Sequence, residues 1–147
     1  MKIPKELTNA ILISIGISLY FLGMEFLGLL GFLYLRILNV AFIYYGVNST
    51  LRMNMEEGQF GYITNLVSAG KTAVGGVLLS VGELLVYIYL RGGTTYIRNL
   101  SGEFLFGGNP TAKEYCTGVL IEGIASSVII VFVTMQRWRK KTTSQDD

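Results

Sequence analysis

Apolar residues along this chain come in long runs separated by short polar segments. The run over residues 72–89 (TAVGGVLLSVGELLVYIY) is long enough to cross a membrane as a helix, because a hydrocarbon core of about 30 Å needs roughly 20 apolar residues. It contains one acid, Glu83, and an ionised residue near the bilayer centre costs about 2.5–3.5 kcal/mol on insertion scales. Ser80 and Gly76 share a helical face with Glu83. We therefore expect this face to contact other helices instead of lipid.

Three further apolar runs predict similar helices, so the sequence as a whole predicts an all-α polytopic membrane protein, a four-transmembrane-helix bundle. The glycines of residues 28–31 predict a short hairpin between the first two spans, because one helix through both would far exceed the bilayer thickness. The predicted parts are spans over residues 9–27, 32–51, 72–90 and 115–136, within a single membrane domain of residues 1–141, and a disordered polar tail of residues 142–147.

Local signals predict where some helices begin and end. Glu56, Glu57 and Gly58 predict a turn in the polar segment after the second span. Thr8 or Asn9 is a candidate N-cap for the first span, and Asn109 followed by Pro110 is typical of a helix start. Residues 60–67 are mildly amphipathic and either lie along the membrane interface or begin the third helix early. Helical spacing of Ile97, Leu100 and Phe104 predicts a short surface helix after the third span.

The composition also indicates a membrane protein. Hydrophobic residues make up 51% of the 147 residues and charged residues only 15%, against roughly 25% charged residues in soluble domains. The net charge of +2 is small and scattered, so membrane lipids are the expected surroundings and nucleic acid is not an expected partner. With no histidine and a single cysteine, Cys116, the chain lacks the common nucleophile–histidine pairs. We predict no cofactor, no metal and no enzyme activity, with an acid pair acting on lipid as the open alternative.

The distribution of lysine and arginine predicts the orientation. Four spans place both termini on one side, which then carries eight of these residues against three on the other side. Cytoplasmic loops are enriched in positive residues, so we predict an N-in/C-in orientation. The eight are Lys2, Lys5, Arg52, Lys71, Arg137, Arg139, Lys140 and Lys141, and the three are Arg91, Arg98 and Lys113.

Four ionisable residues lie within the predicted spans: Glu25, Arg36, Glu83 and Glu122. In the predicted orientation all four fall in the outer half of the membrane and can meet inside the bundle. Three acids and one arginine leave excess negative charge unless carboxyl groups are protonated, a composition typical of a proton or small-cation site. The structural alternative pairs Arg36 with Glu25 and leaves Glu83 and Glu122 neutral, bonded to hydroxyl groups between helices.

Other basic residues predict contacts with the membrane surface. Gly70-Lys71-Thr72 resembles the end of a phosphate-binding loop, but Asn65 stands where that motif needs a glycine. We interpret Lys71 as a side chain that extends to the cytoplasmic headgroups. The basic cluster at the end of the fourth span predicts a topology anchor, with binding of anionic lipid as the alternative. Its residues are Arg137, Trp138, Arg139, Lys140 and Lys141.

Half of the chain resembles a known family. The segment FIYYGVNSTLRMNMEEGQFGYITNLVSAGKTAVGGVLL, with Gly46, Arg52, Gly58 and Gly70 at the matching positions, and the final VFVTMQRWRKK carry the resemblance. The family consists of small four-span inner-membrane proteins, common in the Bacteroidetes and known only as a domain of unknown function. The resemblance implies architecture and location, and this family has no assigned activity that could be transferred.

Two functions are predicted. Helical spacing places Ser14, Ser18 and Glu25 on one face of the first span, and Gly118, Glu122 and Ser126 on one face of the fourth. Such stripes of small and polar residues, more numerous than a lone small bundle needs, favour a non-enzymatic accessory or assembly protein with a membrane-protein partner, or a homo-oligomer. The alternative is a small proton or monovalent-cation transporter or channel that uses Glu83 and Glu122.

Overall fold

The described part of the chain is helical and contains no strand. The computed structural model describes residues 3–29, 37–100 and 110–143, and within them the side chains of residues 99, 100 and 140–143 lie outside the description. The all-α prediction is confirmed for these residues. Their helices are α1 (Lys5–Phe26), α2 (Asn39–Glu56), α3 (Tyr62–Leu90), α4 (Thr94–Leu100) and α5 (Ala112–Thr143).

Among the described residues, three helices are long and apolar enough to cross a membrane. They are α1, α3 and the Ala112–Arg139 part of α5. Large apolar side chains are exposed on all three, as a lipid-facing surface requires. Examples are Leu19 on α1, Leu78 and Val86 on α3, and Ile129 and Phe132 on α5.

The second predicted span differs most from the structure. In place of a helix over residues 32–51, the described helix α2 covers Asn39–Glu56, and residues 32–36 lie outside the description. α2 is not among the three candidate membrane helices. The physical reason is its composition, since Asn48, Arg52 and Asn54 lower its hydropathy. The prediction ended the helix at residue 51 because it followed the apolar residues. The helix instead continues to the turn at Gly58.

Glycines end the first two helices where the sequence predicts turns. Gly28 has a φ of +68° and Gly58 a φ of +77°, a left-handed conformation that costs glycine little. Behind Gly28, the N–H of Leu29 donates to the carbonyl oxygen of Met24 at 2.9 Å. The break at Gly28 is confirmed, while the rest of the predicted hairpin lies outside the described residues.

The predicted start of α1 needs correction, whereas one of the two alternatives for the start of α3 is confirmed. Neither Thr8 nor Asn9 caps α1, which begins at Lys5 directly after Pro4, and Asn9 is only 3% exposed inside the bundle. The amide of Asn9 is bonded to a buried side chain of another helix, so it does not cap α1. α3 begins at Tyr62, so residues 60–67 begin the third helix early, as one of the two alternatives predicts.

α5 begins with a capping box that the sequence analysis overlooked. The backbone N–H of Thr111 donates to Oε2 of Glu114 at 2.7 Å, and the N–H of Glu114 donates to Oγ1 of Thr111 at 3.3 Å. The Thr-x-x-Glu spacing was the available signal. At its other end α5 continues to Thr143, so residues 142 and 143, predicted to belong to the disordered tail, are helical, while residues 144–147 lie outside the description. The predicted boundary followed polarity and not helix propensity.

α3 lies at the centre of the described structure and contacts each of the other four helices. Lys5 at the start of α1 pairs with Glu57 just after α2, so these two helices are antiparallel. The amide of Asn54 on α2 donates to Asn65 near the start of α3 at 2.8 Å. α1 and α3 therefore run in one direction and α2 in the other. The main core between the long helices comprises Ile13, Ile43, Val47, Leu51, Ala69, Ala73, Val77, Val131 and Met135.

The short helix α4 covers the opposite end of this core. Ile97 is 0% exposed and packs in a second cluster with Ile88, Ala112, Tyr115 and Cys116. A short helix is therefore present where it was predicted, and Phe104 lies outside the described residues. This packing holds the beginning of α5 against the end of α3.

Candidate functional site

The stripes of small and polar residues predicted on the first and third spans face each other in the structure. The hydroxyl group of Ser14 shares its hydrogen between the carbonyl oxygen of Ile11 at 3.0 Å and Oε1 of Glu83 at 3.2 Å. The hydroxyl group of Ser18 donates to Oε2 of the same carboxylate. On α3, the hydroxyl group of Ser80 donates to the carbonyl oxygen of Gly76 at 2.7 Å. Two hydroxyl groups of α1 therefore orient the Glu83 carboxylate.

A cavity of about 390 Å³ lies beside this carboxylate. Glu83 of α3 and Glu122 of α5 both line it, together with side chains of α1 and α2. Most of the other lining residues are apolar, and none of the described lining residues is a lysine or an arginine. The remaining polar side chains of the lining are Ser18, Tyr20, Asn39, Ser80, Tyr87, Tyr115 and Ser126.

The exposure of Glu83 is explained by the cavity. Glu83 belongs to the same helical face as Gly76 and Thr72, which lie seven and eleven residues before it and are buried. Its side chain is nevertheless exposed, because the space beside it is the cavity that it lines. The prediction that this face contacts other helices is confirmed for Gly76, which approaches Ile13 of α1, and for Glu83, which bonds to α1 on one side and lines the cavity on the other.

Glu122 reaches the cavity because α5 packs closely on α3. A Cβ added at the neighbouring Gly123 would lie 2.6 Å from Cγ1 of Val77, so only glycine allows this approach. Glu122 is half-buried, and Ser126, one turn further along α5, also lines the cavity. The predicted stripe of α5 thus contributes a carboxyl group and a hydroxyl group to the site.

Glu25 lies in a different cluster, at the ends of α1 and α3. Its carboxylate accepts hydrogen bonds from the hydroxyl group of Tyr87, from Nη2 of Arg91 at 2.8 Å and from the hydroxyl group of Tyr96 at 3.0 Å. Nε of Arg91 also donates to the Tyr87 oxygen at 3.1 Å. Of the four predicted residues, the structure brings Glu83 and Glu122 to one cavity and places Glu25 apart. Arg36 and its predicted pairing with Glu25 lie outside the described residues.

Contacts within this cluster raise the pKa of two of its members, Arg91 and Tyr96. The hydrogen bond to Glu25, followed by the bond to Tyr87, raises the pKa of Arg91. Burial of the Tyr96 phenol, and then its bond to Glu25, raises the pKa of that group. Both effects favour a cationic Arg91 and a neutral Tyr96 in the folded protein. The cluster ties α4 to α1 and α3.

Tyr96→Phe should remove one part of the pH dependence of stability. The folded-state pKa of Tyr96 lies above its ordinary value of 10.0, so its stabilising contribution is complete below pH 10 and is lost as the pH rises through the folded-state pKa. At pH 7 the variant should be less stable by about 1 kcal/mol, the net value of one hydrogen bond. Denaturant unfolding at several pH values from 7 upward should show a shallower alkaline decline for the variant. Equal slopes for the two proteins would contradict this assignment.

Sequence reasoning missed a second polar network, at the end where α1 and α3 begin. Nδ2 of Asn9 donates to Oγ1 of Thr50 at 2.8 Å, and the oxygens of Thr50 and Thr72 are 2.8 Å apart. Oγ1 of Thr72 also lies 3.0 Å from the carbonyl oxygen of Ser68, to which it donates. In this arrangement Asn9 donates to Thr50, Thr50 to Thr72 and Thr72 to Ser68. The helical spacing of Ser68 and Thr72 was the only signal in the sequence.

The predicted membrane-surface residue Lys71 lies on a continuous helix. It is exposed in α3, directly before the buried Thr72, so the local structure is not a phosphate-binding loop.

Two residues of the predicted basic cluster bond to another helix. Arg137 donates to the hydroxyl oxygen of Tyr44, and Nε1 of Trp138 donates to Oδ1 of Asn48 at 3.0 Å. These contacts join α5 to α2.

Trp138 and Arg139 also line a second cavity, of about 380 Å³, with Asn65 and Met135. Lys140 and Lys141 belong to α5, but their side chains lie outside the description.

Comparison with known proteins adds no relative to this picture. No protein-family model, no curated protein and no solved structure matches the chain, so nothing there supports the resemblance to the Bacteroidetes family.

Proposed function

We propose that the protein is a multi-pass protein of the bacterial inner membrane, with four crossing helices and both termini in the cytoplasm. Supporting this, α1, α3 and α5 have the length and hydropathy of membrane helices, and α2 contacts all three. The described basic residues near the start of α1 outnumber those at the opposite end, which favours a cytoplasmic location for the first group. The first group is Lys5, Arg52, Lys71, Arg137 and Arg139, and the second is Arg91, Arg98 and Lys113.

Within this membrane domain, the cavity binds a proton or another monovalent cation at Glu83 and Glu122. The observation that carries the proposal is that Glu83 and Glu122 line one cavity, where the bonds of the Glu83 carboxylate come from the uncharged hydroxyl groups of Ser14 and Ser18. A carboxylate inside a membrane is costly. A proton or a bound cation offsets that cost, and the two compete for the same oxygens. Competition of this kind makes the site suitable for exchange of protons against a cation.

A liposome assay tests the exchange. The purified protein is placed in liposomes that contain a pH-sensitive dye, and inward gradients of Na⁺, K⁺ or tetraphenylphosphonium are imposed in turn. We expect at least one gradient to drive protons outward through the wild-type protein. Proton movement should fall to the level of protein-free liposomes in Glu83→Gln and in Glu122→Gln, because each substitution removes an exchangeable carboxyl group.

Glu56→Gln is the matched control. The Glu56 carboxylate is exposed, pairs with Nε of Arg52 at 3.1 Å and does not line the cavity, so its removal should leave proton movement unchanged. The proposal is wrong if none of the three gradients moves protons, or if the two cavity variants behave like the Glu56 variant.

The predicted accessory or self-associating role has less support from the contacts. The small-residue stripes that favour it are used inside the chain: Gly46 and Gly76 both approach Ile13, and Gly123 approaches Val77. These contacts account for much of the small-residue content without a partner. Cross-linking in native membranes would reveal a stoichiometric partner or a homo-oligomer if one exists.

A further inference from the structure

We infer that the cation bound by the cavity is an amphiphilic organic cation, one with an apolar or aromatic body and a single positive charge. This inference rests on the proposed cation function of Glu83 and Glu122 and specifies the chemical class of the ligand. It follows from three properties of the cavity, namely its size, its walls and the placement of its charges.

The size of the cavity suits an organic molecule. Its volume of about 390 Å³ lies within the range of about 300–1,000 Å³ found for small-molecule sites. A dehydrated inorganic ion would occupy a small part of that space, and the remainder would have to be filled by water. Most of the surface that this water would meet is apolar.

The walls of the cavity suit an organic body better than a metal ion. The described residues contain no cluster of three acidic, histidine or cysteine side chains suited to a metal, and the polar side chains of the lining are spread over four helices among a larger number of apolar residues. The walls instead carry aliphatic side chains such as Ile17 and Val77, and aromatic rings such as Phe21 and Tyr20. Contact with the aliphatic side chains stabilises the apolar groups of a bound ligand. The aromatic rings stabilise a bound organic cation by cation–π attraction.

The charges are placed on opposite helices. Glu83 belongs to α3 and Glu122 to α5, and hydroxyl groups of Ser14 and Ser18 hold the first carboxylate from the side of α1. A ligand between the two helices can therefore approach a carboxylate without displacing these bonds. Asn39 adds a buried Oδ1 that has no hydrogen-bond partner among the described residues and belongs to a side chain of the lining. The cavity thus offers acceptors and negative charge, together with apolar walls.

Equilibrium binding of tetraphenylphosphonium to the full-length protein in nanodiscs tests the inference. Tetraphenylborate has nearly the same shape and the opposite charge, so it tests whether binding requires a positive charge, and protein-free nanodiscs measure the partition of each ion into lipid. We expect saturable binding of the cation only. The affinity should be about tenfold or more weaker in Glu83→Gln and Glu122→Gln, a difference readily measured as a change in Kd, and unchanged in Glu56→Gln.

The comparison of the two ions in the wild-type protein needs no variant, so the test remains decisive if a cavity variant fails to fold. Equal saturable binding of both ions, or no saturable binding of either, overturns the inference. Displacement of tetraphenylphosphonium by Na⁺ or K⁺ at a concentration close to that of the protein also overturns the inference.

The binding and liposome experiments fail independently. Saturable, charge-selective binding without proton movement supports the ligand class and overturns the exchange. Proton movement driven by Na⁺ or K⁺ without binding of tetraphenylphosphonium supports the exchange and overturns the ligand class.

Discussion

Gly76→Leu should prevent the first three helices from packing together. Ile13 of α1 is 2% exposed and lies between two glycines of the neighbouring helices. A Cβ at Gly76 would lie 2.8 Å from Cγ2 of Ile13, and a Cβ at Gly46 would lie 2.4 Å from its Cδ1. Because Ile13 is enclosed on both sides, it cannot move away from a new side chain. Overpacking of a core costs about 1–3 kcal/mol, and we expect the upper part of that range or more.

Unfolding of the purified protein by denaturant or by heat measures this loss. Gly82→Leu is the matched control, because a Cβ added at Gly82 on the same helix would meet no atom of the described neighbouring helices within 4 Å. A leucine there should be neutral or slightly stabilising, since glycine is the poorer helix former by about 1 kcal/mol. In Gly76→Leu, a second substitution of Ile13→Ala should recover part of the stability by opening space. Equal stability of the Gly76 and Gly82 variants would contradict the proposed packing.

Thr50→Val should destabilise the end of the bundle where α1 and α3 begin. Thr50 and Thr72 are both 0% exposed, and Thr50 is the central link between Asn9 and Thr72. Valine has nearly the same shape but no hydroxyl group, so the amide of Asn9 would lose its acceptor while remaining buried. An unsatisfied buried polar group costs about 1–3 kcal/mol, although hydrogen bonds between membrane helices average about 0.6 kcal/mol.

Two further variants separate the loss of the Asn9 hydrogen bond from the general effect of replacing a threonine by valine. Thr117→Val changes an exposed threonine whose hydroxyl group bonds to the carbonyl oxygen of Lys113 within its own helix, so its effect on unfolding should be small. Thr50→Ser retains the hydroxyl group and should be more stable than Thr50→Val. The assignment is wrong if Thr50→Val is no more destabilising than Thr117→Val, or if serine at this position is no better than valine.

The sequence predicted which residues form polar faces on the helices, but not which of those residues lie together in the candidate site. Periodicity placed Ser14 and Ser18 on one face of the first helix and Glu83 on one face of the third, and these faces do meet. Glu25 shares the face of Ser14 and Ser18, yet it bonds to Arg91 and Tyr96. The sequence contains no signal for that choice, because it depends on the offset of α1 along α3 and on where α4 folds back.

Local chemistry explains why other features were visible in the sequence. Gly28 and Gly58 end helices because only glycine readily adopts the left-handed conformation that satisfies the last carbonyl groups, and this requirement involves neighbouring residues alone. The capping box of Thr111 and Glu114 also depends on neighbouring residues alone, so its Thr-x-x-Glu spacing was a readable signal even though the prediction did not use it. The start of α2 was predicted poorly because its apolar residues continue without a comparable local signal.

The sequence by itself determined the class of the protein, since low charge and long apolar runs require helices that can satisfy their backbone hydrogen bonds internally. It also determined the helix ends that glycine specifies and the faces that carry polar side chains. Only the tertiary structure decided that Glu83 and Glu122 share a cavity, that Glu25 does not, and that Asn9 is linked to Thr50 and Thr72. These pairings join residues far apart in the chain, and they depend on helix rotation, tilt and relative height, which are determined by close contacts such as that of Ile13 with Gly46 and Gly76.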